Sequence, residues 1–153
     1  MHISTIQMQY GMSDGYLQTA LEGFNTSNAT QHPQGGNSAT WLLSHIIATR
    51  QAPLMFTGSD TLWQPEHLQR WLRDPEPLQA DEALAWDQLL SDLESSKDAL
   101  MGFLASADDA TLDIDTPAGK VSEVITFLAA HEAYHVGQLA MLRRVLGLPG
   151  VLK

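Results

Sequence analysis

Apolar residues recur at steps of three and four along four segments of the chain, which is the spacing of one buried face of an α-helix. The first segment covers residues 3–24, where Gly11 and Gly15 weaken the helical prediction. Residues 25–37 follow with many Asn, Thr and Gly and with no periodicity, so this stretch is predicted to be a loop.

The second helix is predicted to begin at a capping residue, Asn37 or Ser38, and to continue to about Thr57. Pro53 is expected to kink or shorten its end, because a proline inside a helix removes a backbone hydrogen bond. The next connection, residues 58–80, contains three prolines and has room for one helical turn. It is long enough to cross over the molecule rather than to join two adjacent antiparallel helices.

The third helix is predicted to start near Asp81, and its apolar row ends at Phe103. Residues 106–120 form a second loop, in which residues 111–116 are expected to be extended. The fourth helix begins at Ser122 and ends where Gly147 supplies a C-cap.

These four helices, with no convincing alternating strand, predict an all-α fold. Its architecture would be a four-helix bundle with a long crossover between helices 2 and 3. A length of 153 residues is typical of one domain, so residues 1–153 are expected to form a single domain.

Composition excludes several kinds of chemistry. The chain has no cysteine, so disulfides, thiolate metal sites and a cysteine nucleophile are excluded. Its net charge of −10, with no cluster of basic residues, argues against nucleic-acid binding. No signal peptide and no membrane-spanning apolar stretch are recognisable, so we expect a cytoplasmic protein that does not bind membranes.

The buried row of the fourth helix contains polar residues that need an explanation. At three- and four-residue steps it comprises Val124, Leu128, His131, His135, Gln138, Leu142 and Val145. His45 occupies a similar apolar face on the second helix. A buried polar group without a partner costs on the order of 1–3 kcal/mol, so these positions indicate a function.

His131 and His135 lie one helical turn apart, a spacing that suits two ligands of one metal ion. His45 would supply a third imidazole from another helix. Three protein ligands leave coordination positions open for water or substrate, which is typical of catalytic metal sites. The remaining histidines, at positions 2, 32 and 67, lie off the apolar rows and are expected to be ordinary surface residues.

Residues 131–135 also match His-Glu-x-x-His, a signature of zinc proteases. No acidic residue follows His135, and the extended protease motif fails at Gln138 and Met141. The match is therefore weak support for proteolysis. Glu132 could act as a general base, as in those proteases, or it could support a ligand or be a solvated charge at the edge of the bundle.

Three stretches resemble one known family. They are GGNSATWLLSHIIATR (35–50), HEAYHVGQLAMLRRVLGLPG (131–150) and, more weakly, YGMSDGYLQTALEG (10–23). In this respect the chain resembles the DinB-like (YfiT-like) metalloenzymes, which are four-helix bundles. The resemblance implies that His45, His131 and His135 bind one divalent metal ion, zinc or nickel.

Members of that family include metal-dependent thiol transferases, a thiol-dependent isomerase and hydrolases, and several use a low-molecular-weight thiol. The resemblance thus implies a metal-dependent S-transferase or hydrolase acting on a small molecule, and a homodimer. Gln138 and Tyr10 are candidates to line the pocket, and Trp63 and Trp71 are candidates for a dimer contact. The alternative is a non-enzymatic stress-response protein in which a fourth ligand closes the site and the metal only stabilises the fold.

Overall fold

A computed structural model of the protein describes residues 3–31, 33, 36–72 and 84–151. The elements of this part, in chain order, are α1 (Ile3–Leu21), α2 (Ala39–Phe56), α3 (Pro65–Trp71), α4 (Trp86–Ser106), α5 (Asp109–Leu112), β1 (Asp115–Thr116), β2 (Gly119–Lys120) and α6 (Val121–Val145). The all-α prediction is confirmed, and the four long predicted helices correspond to α1, α2, α4 and α6.

The ends of α2 and α6 follow from their sequence. Ser38 caps α2, since its hydroxyl oxygen accepts a hydrogen bond of 3.1 Å from the backbone N–H of Trp41. Pro53 lies inside α2 without ending it, and the helix continues to Phe56. Gly147 follows α6 with a φ of 79°, the left-handed conformation that ends helices and favours glycine.

Helix α1 is continuous through Gly11 and Gly15, but it ends at Leu21 rather than at residue 24. Arg143 of α6 supports this end. Its buried guanidinium donates to the carbonyl oxygens of Thr19, Ala20 and Glu22, at 2.9, 2.9 and 2.7 Å. Cationic groups are favoured at a helix C-terminus, where carbonyl groups lack partners within the helix.

Two predicted boundaries differ from the structure or lie outside it. The predicted start of the third helix, Asp81, is outside the described residues, and α4 begins at Trp86. Residues 111–116 were expected to be extended, but Asp108 caps the short helix α5, because its carboxylate accepts the backbone N–H of Thr111 at 2.8 Å. Within residues 111–116 the strand is limited to β1, which pairs with β2 in antiparallel orientation.

Helix α2 is the central element and brings the candidate site together. Its residues 39–54 are all buried. It packs against α4 and α6 on two sides and is contacted by α3, while α1 packs against α6 and α4. Across the described residues, no helix is long and apolar enough to span a membrane.

The connection after α2 folds back onto the core. Trp63 and Trp71 are both buried there, and the indole N–H of Trp63 donates to Asp92 at 2.8 Å. The prediction that these two tryptophans are exposed for a dimer contact is therefore wrong. A tryptophan is best buried where its N–H finds an acceptor, which Asp92 supplies for Trp63.

Candidate metal centre

Helices α2 and α6 bring three imidazoles together, as the sequence predicts. His45 projects from α2, and His131 and His135 project from α6. One ring nitrogen of each lies within 4.8 Å of the other two. Nε2 of His131 and Nε2 of His135 lie 3.1 Å apart.

The orientation of His45 is set by its neighbours on α2 and α3. Its Nδ1 is hydrogen-bonded to the backbone carbonyl oxygen of Trp71. A carbonyl oxygen can only accept, so Nδ1 carries the proton and Nε2 carries the lone pair. The indole of Trp41 stacks on the ring, with centroids 4.8 Å apart and planes inclined by 14°.

Gln138 fixes His135 in the same way. Nδ1 of His135 lies 2.7 Å from Oε1 of Gln138, whose amide nitrogen in turn donates to the hydroxyl of Tyr134 at 3.0 Å. The amide oxygen is an acceptor, so His135 also presents the lone pair of Nε2. Histidines that bind metals usually donate their other ring N–H to such a partner.

His131 completes the set but lacks such a partner. Its Nδ1 is buried and has no hydrogen-bond partner within the described part of the chain. Its ring contacts Phe127, with centroids 5.4 Å apart. The Nε2 atom faces His135, so it can either donate a proton to that ring or share a cation with it.

The three nitrogens fit a divalent metal ion. Two imidazole nitrogens on one tetrahedral zinc ion at 2.0–2.1 Å are about 3.3 Å apart, close to the 3.1 Å between His131 and His135. In the tautomer of His131 that leaves Nε2 unprotonated, the lone pairs of the two rings repel each other at this distance, and a shared cation removes the repulsion. An all-imidazole donor set suits zinc, copper, iron and nickel.

Burial keeps the three rings neutral. Burial and the nearby His45 together lower the pKa of His135 to about 4, and the hydrogen bond that His135 donates to Gln138 only partly opposes this. Burial also lowers the pKa of His45, partly opposed by the Trp71 carbonyl, and that of His131, partly opposed by Glu132. Neutral imidazole is the form that binds metal.

A buried ionic cluster adjoins the triad in sequence. Glu132, directly after His131, is 1% exposed, and Arg50 on α2 is 2% exposed. Nε and Nη2 of Arg50 donate to the two oxygens of Glu132 at 2.8 and 2.9 Å, and Nη2 also donates to Asp14 at 3.0 Å. Burial lowers the pKa of Arg50, but these carboxylates outweigh it and raise the pKa.

This cluster corrects one interpretation of Glu132. A residue with 1% exposure is not a solvated charge at the edge of the fold. The sequence contains one indication for Arg50: it is the only charged residue of α2, and apolar residues lie three and four positions before and after it. Sequence spacing alone did not show that Arg50, Glu132 and Asp14 meet, because they come from three different helices.

A cleft of about 460 Å³ opens beside the triad and is bordered by His45 and His131. The two predicted pocket residues lie elsewhere. Gln138 holds His135 and borders a separate cavity of about 170 Å³. Tyr10 is buried in the core, where burial and the charge of Glu132 raise the pKa of its hydroxyl.

Two further residues, Val145 and His67, differ in their burial from the prediction. Val145 is 57% exposed and does not continue the buried row of α6. His67 was expected on the surface, but it is partly buried and accepts the indole N–H of Trp71 at 3.2 Å. His2 and His32 lie outside the described residues.

Comparison with known proteins identifies one family. A family model described as the DinB superfamily matches residues 12–139, which include the three imidazoles. Comparison with curated proteins and with solved structures gave no match.

Proposed function

The chain belongs to the DinB superfamily, and we propose that it is a divalent-metal-dependent enzyme that acts on a small molecule, as an S-transferase or a hydrolase. The observation that carries this proposal is the convergence of the ring nitrogens of His45, His131 and His135 beside an open cleft. One fold can host many different reactions, so the proposal rests on the site and not on the fold.

The side chains around the triad support a metal-binding role. Gln138 and the Trp71 carbonyl hold two of the imidazoles with Nε2 as the available donor. When bound, a divalent ion would supply Lewis acidity that lowers the pKa of a bound water or thiol. Since the chain has no cysteine, a thiol nucleophile would come from a low-molecular-weight cofactor.

The surroundings of the triad favour catalysis over a purely structural metal. Structural sites are normally closed by four protein ligands, whereas catalytic sites keep a position open. Within the described residues, the cluster of possible ligands contains only His45, His131 and His135. The cleft beside His45 and His131 offers a small molecule a route to that open position.

For Glu132 we favour a positioning role over the role of a general base. Both of its carboxylate oxygens accept hydrogen bonds from Arg50. Glu132 is also 1% exposed and is not among the residues that border the cleft, so it does not reach a molecule bound there. The pair would instead fix the separation of α2 and α6, and with it the separation of His45 from His131.

We also propose that the protein forms a homodimer through α1. Met8, Met12 and Tyr16 recur every four residues on one side of this helix and are 60%, 58% and 48% exposed. The only charged residue of α1, Asp14, is buried. This uncharged apolar row allows two copies of a chain with a net charge of −10 to meet away from their acidic surfaces.

Sedimentation equilibrium tests the dimer. Met12→Glu is expected to shift the protein to the monomer, while Ser95→Glu, at an exposed position of α4, is expected to leave the dimer intact. A parent protein that is monomeric at micromolar concentration would contradict this part of the proposal.

The enzymatic proposal is tested by two activity screens. One measures the transfer of low-molecular-weight thiols to electrophiles, and the other measures the hydrolysis of activated esters. Metal-loaded protein without a tag is compared with the same protein after chelation. Turnover is expected only with metal, and His131→Ala should lose it while His67→Ala, which changes a histidine outside the triad, should keep it. Turnover that survives both chelation and His131→Ala would contradict the proposed site.

A further inference from the structure

The cleft beside the triad has the volume of a small-molecule site. Its volume of about 460 Å³ falls within the range typical of ligand pockets. The residues that border it are His45, Thr49, Ala52, Phe56, Leu72, Ala118, Glu123, Val124, Phe127, Leu128 and His131.

The positions of these residues along two helices show the long axis of the cleft. On α2 they follow His45 at steps of three or four up to Phe56, and on α6 they run from Val124 to His131. At 1.5 Å per helical residue, these rows extend for about 16 Å and about 10 Å. The cleft is therefore elongated, and both rows have an imidazole of the triad at the same end.

The walls beyond the imidazoles are largely apolar. Phe56, Val124 and Leu128 are typical of them. The hydroxyl of Thr49 is used internally, since it donates to the Ile46 carbonyl oxygen at 3.0 Å. An elongated wall of this kind stabilises a bound molecule mainly through apolar surface removed from water.

The cleft carries a negative charge at the end away from the imidazoles. Glu123, next to Val124 at the end away from His131, is the one charged residue among the described residues that border the cleft. Its carboxylate accepts the backbone N–H of Lys120 at 2.9 Å, which holds it in place. An anionic group placed there would meet a like charge.

We propose that the substrate is a small molecule with a metal-ligating head at the triad and an uncharged, extended apolar body along the cleft. This inference rests on the proposed metal-dependent function. It adds the chemical class of the substrate, and it excludes bodies that end in a carboxylate or a phosphate.

The probes are alkyl hydroxamates, whose head group binds divalent metals, with tails from one to about eight carbons. They are titrated into cobalt-loaded protein, and binding is followed by the visible spectrum of the cobalt. The dissociation constant is expected to fall about three- to fourfold for each added CH₂ until the cleft is filled. An eight-carbon probe ending in a carboxylate is expected to bind at least about tenfold more weakly than its uncharged equivalent.

Two variants locate the effect in the cleft. Ala52→Phe places a large side chain between Thr49 and Phe56 and should remove the dependence on tail length, while the one-carbon probe keeps its affinity. Phe56→Ala, at the end of the α2 row, should weaken the binding of the long probes only. Because it adds no volume to the core, it tests the cleft even if Ala52→Phe does not fold. Ala133→Phe, at an exposed position of α6 that does not border the cleft, is the matched control.

The outcomes separate this inference from the proposed function. If the shortest probe changes the cobalt spectrum but affinity is independent of tail length, or the carboxylate probe binds equally well, the inference on substrate class is overturned. If the protein binds no cobalt, or no probe reaches it, the proposed metal-dependent function fails as well.

Discussion

Arg50 and Glu132 join helices α2 and α6 through two hydrogen bonds of 2.8 and 2.9 Å. Arg50 follows His45 by little more than one helical turn, and Glu132 directly follows His131. The ion pair therefore links the two helix segments that carry the candidate metal ligands. Both partners are almost fully buried, so neither charge can be solvated if the other is removed.

Removing Arg50 is expected to destabilise the fold strongly. Arg50→Met keeps the aliphatic volume but leaves Glu132 and Asp14 without this partner, and breaking a buried pair typically costs about 3–5 kcal/mol. The measurement is the free energy of unfolding in urea. Lys97→Met is the matched control, since Lys97 contacts the same Asp14 at 2.8 Å but is 38% exposed, and it should cost less than about 1 kcal/mol. Equal losses for both variants would show that burial of the pair is unimportant.

Gln138 is expected to control metal affinity through His135. Gln138→Leu removes the acceptor that orients Nδ1, and the loss of such a partner typically weakens metal binding about 10–100-fold. Gln138→Glu keeps an acceptor at this position and should retain most of the affinity. Competition with a chromophoric chelator measures the dissociation constant, and Gln18→Leu, at a glutamine that contacts Glu94 instead, is the control. An unchanged affinity in Gln138→Leu would rule out this role.

The metal-free protein is expected to lose stability as the pH falls from 6.5 towards 4. The pKa of His135 is about 4 in the folded protein and 6.5 without the fold. In this window the unfolded chain binds more protons than the folded one, so the free energy of unfolding decreases as the pH decreases. Below about pH 4 this histidine contributes no further loss.

A urea titration at several pH values checks this expectation. His135→Gln removes the titrating group. The free energy of unfolding of this variant should therefore depend less on pH between 6.5 and 4 than that of the parent, while near pH 8 neither should change with pH through this residue. A parent protein whose stability is flat between pH 6.5 and pH 4, or identical in slope to His135→Gln, would contradict it.

Sequence periodicity predicted the long helices because their apolar rows are local features. It also located the three imidazoles, since His45, His131 and His135 lie on rows that must face other helices. The two helices that carry them pack against each other. Gly11 and Gly15 did not interrupt α1, because packing against α6 and α4 outweighs their low helical propensity.

Features that depend on distant parts of the chain were not predictable in this way. The carbonyl of Trp71 reaches His45 only because the connection after α2 folds back as α3. For the same reason, Trp71 is buried rather than exposed. The role of Glu132 was open because its partner Arg50 comes from another helix, and a charged residue in isolation is more often exposed.

The central claim is that His45, His131 and His135 form one metal site. Elemental analysis of tag-free protein, after removal of loosely bound ions, tests it most directly. The parent and His67→Ala should each contain close to one divalent ion per chain, and the variant that combines His45→Ala, His131→Ala and His135→Ala should contain almost none while keeping the helical circular dichroism of the parent. Equal metal content in the parent and the triple variant would contradict the claim.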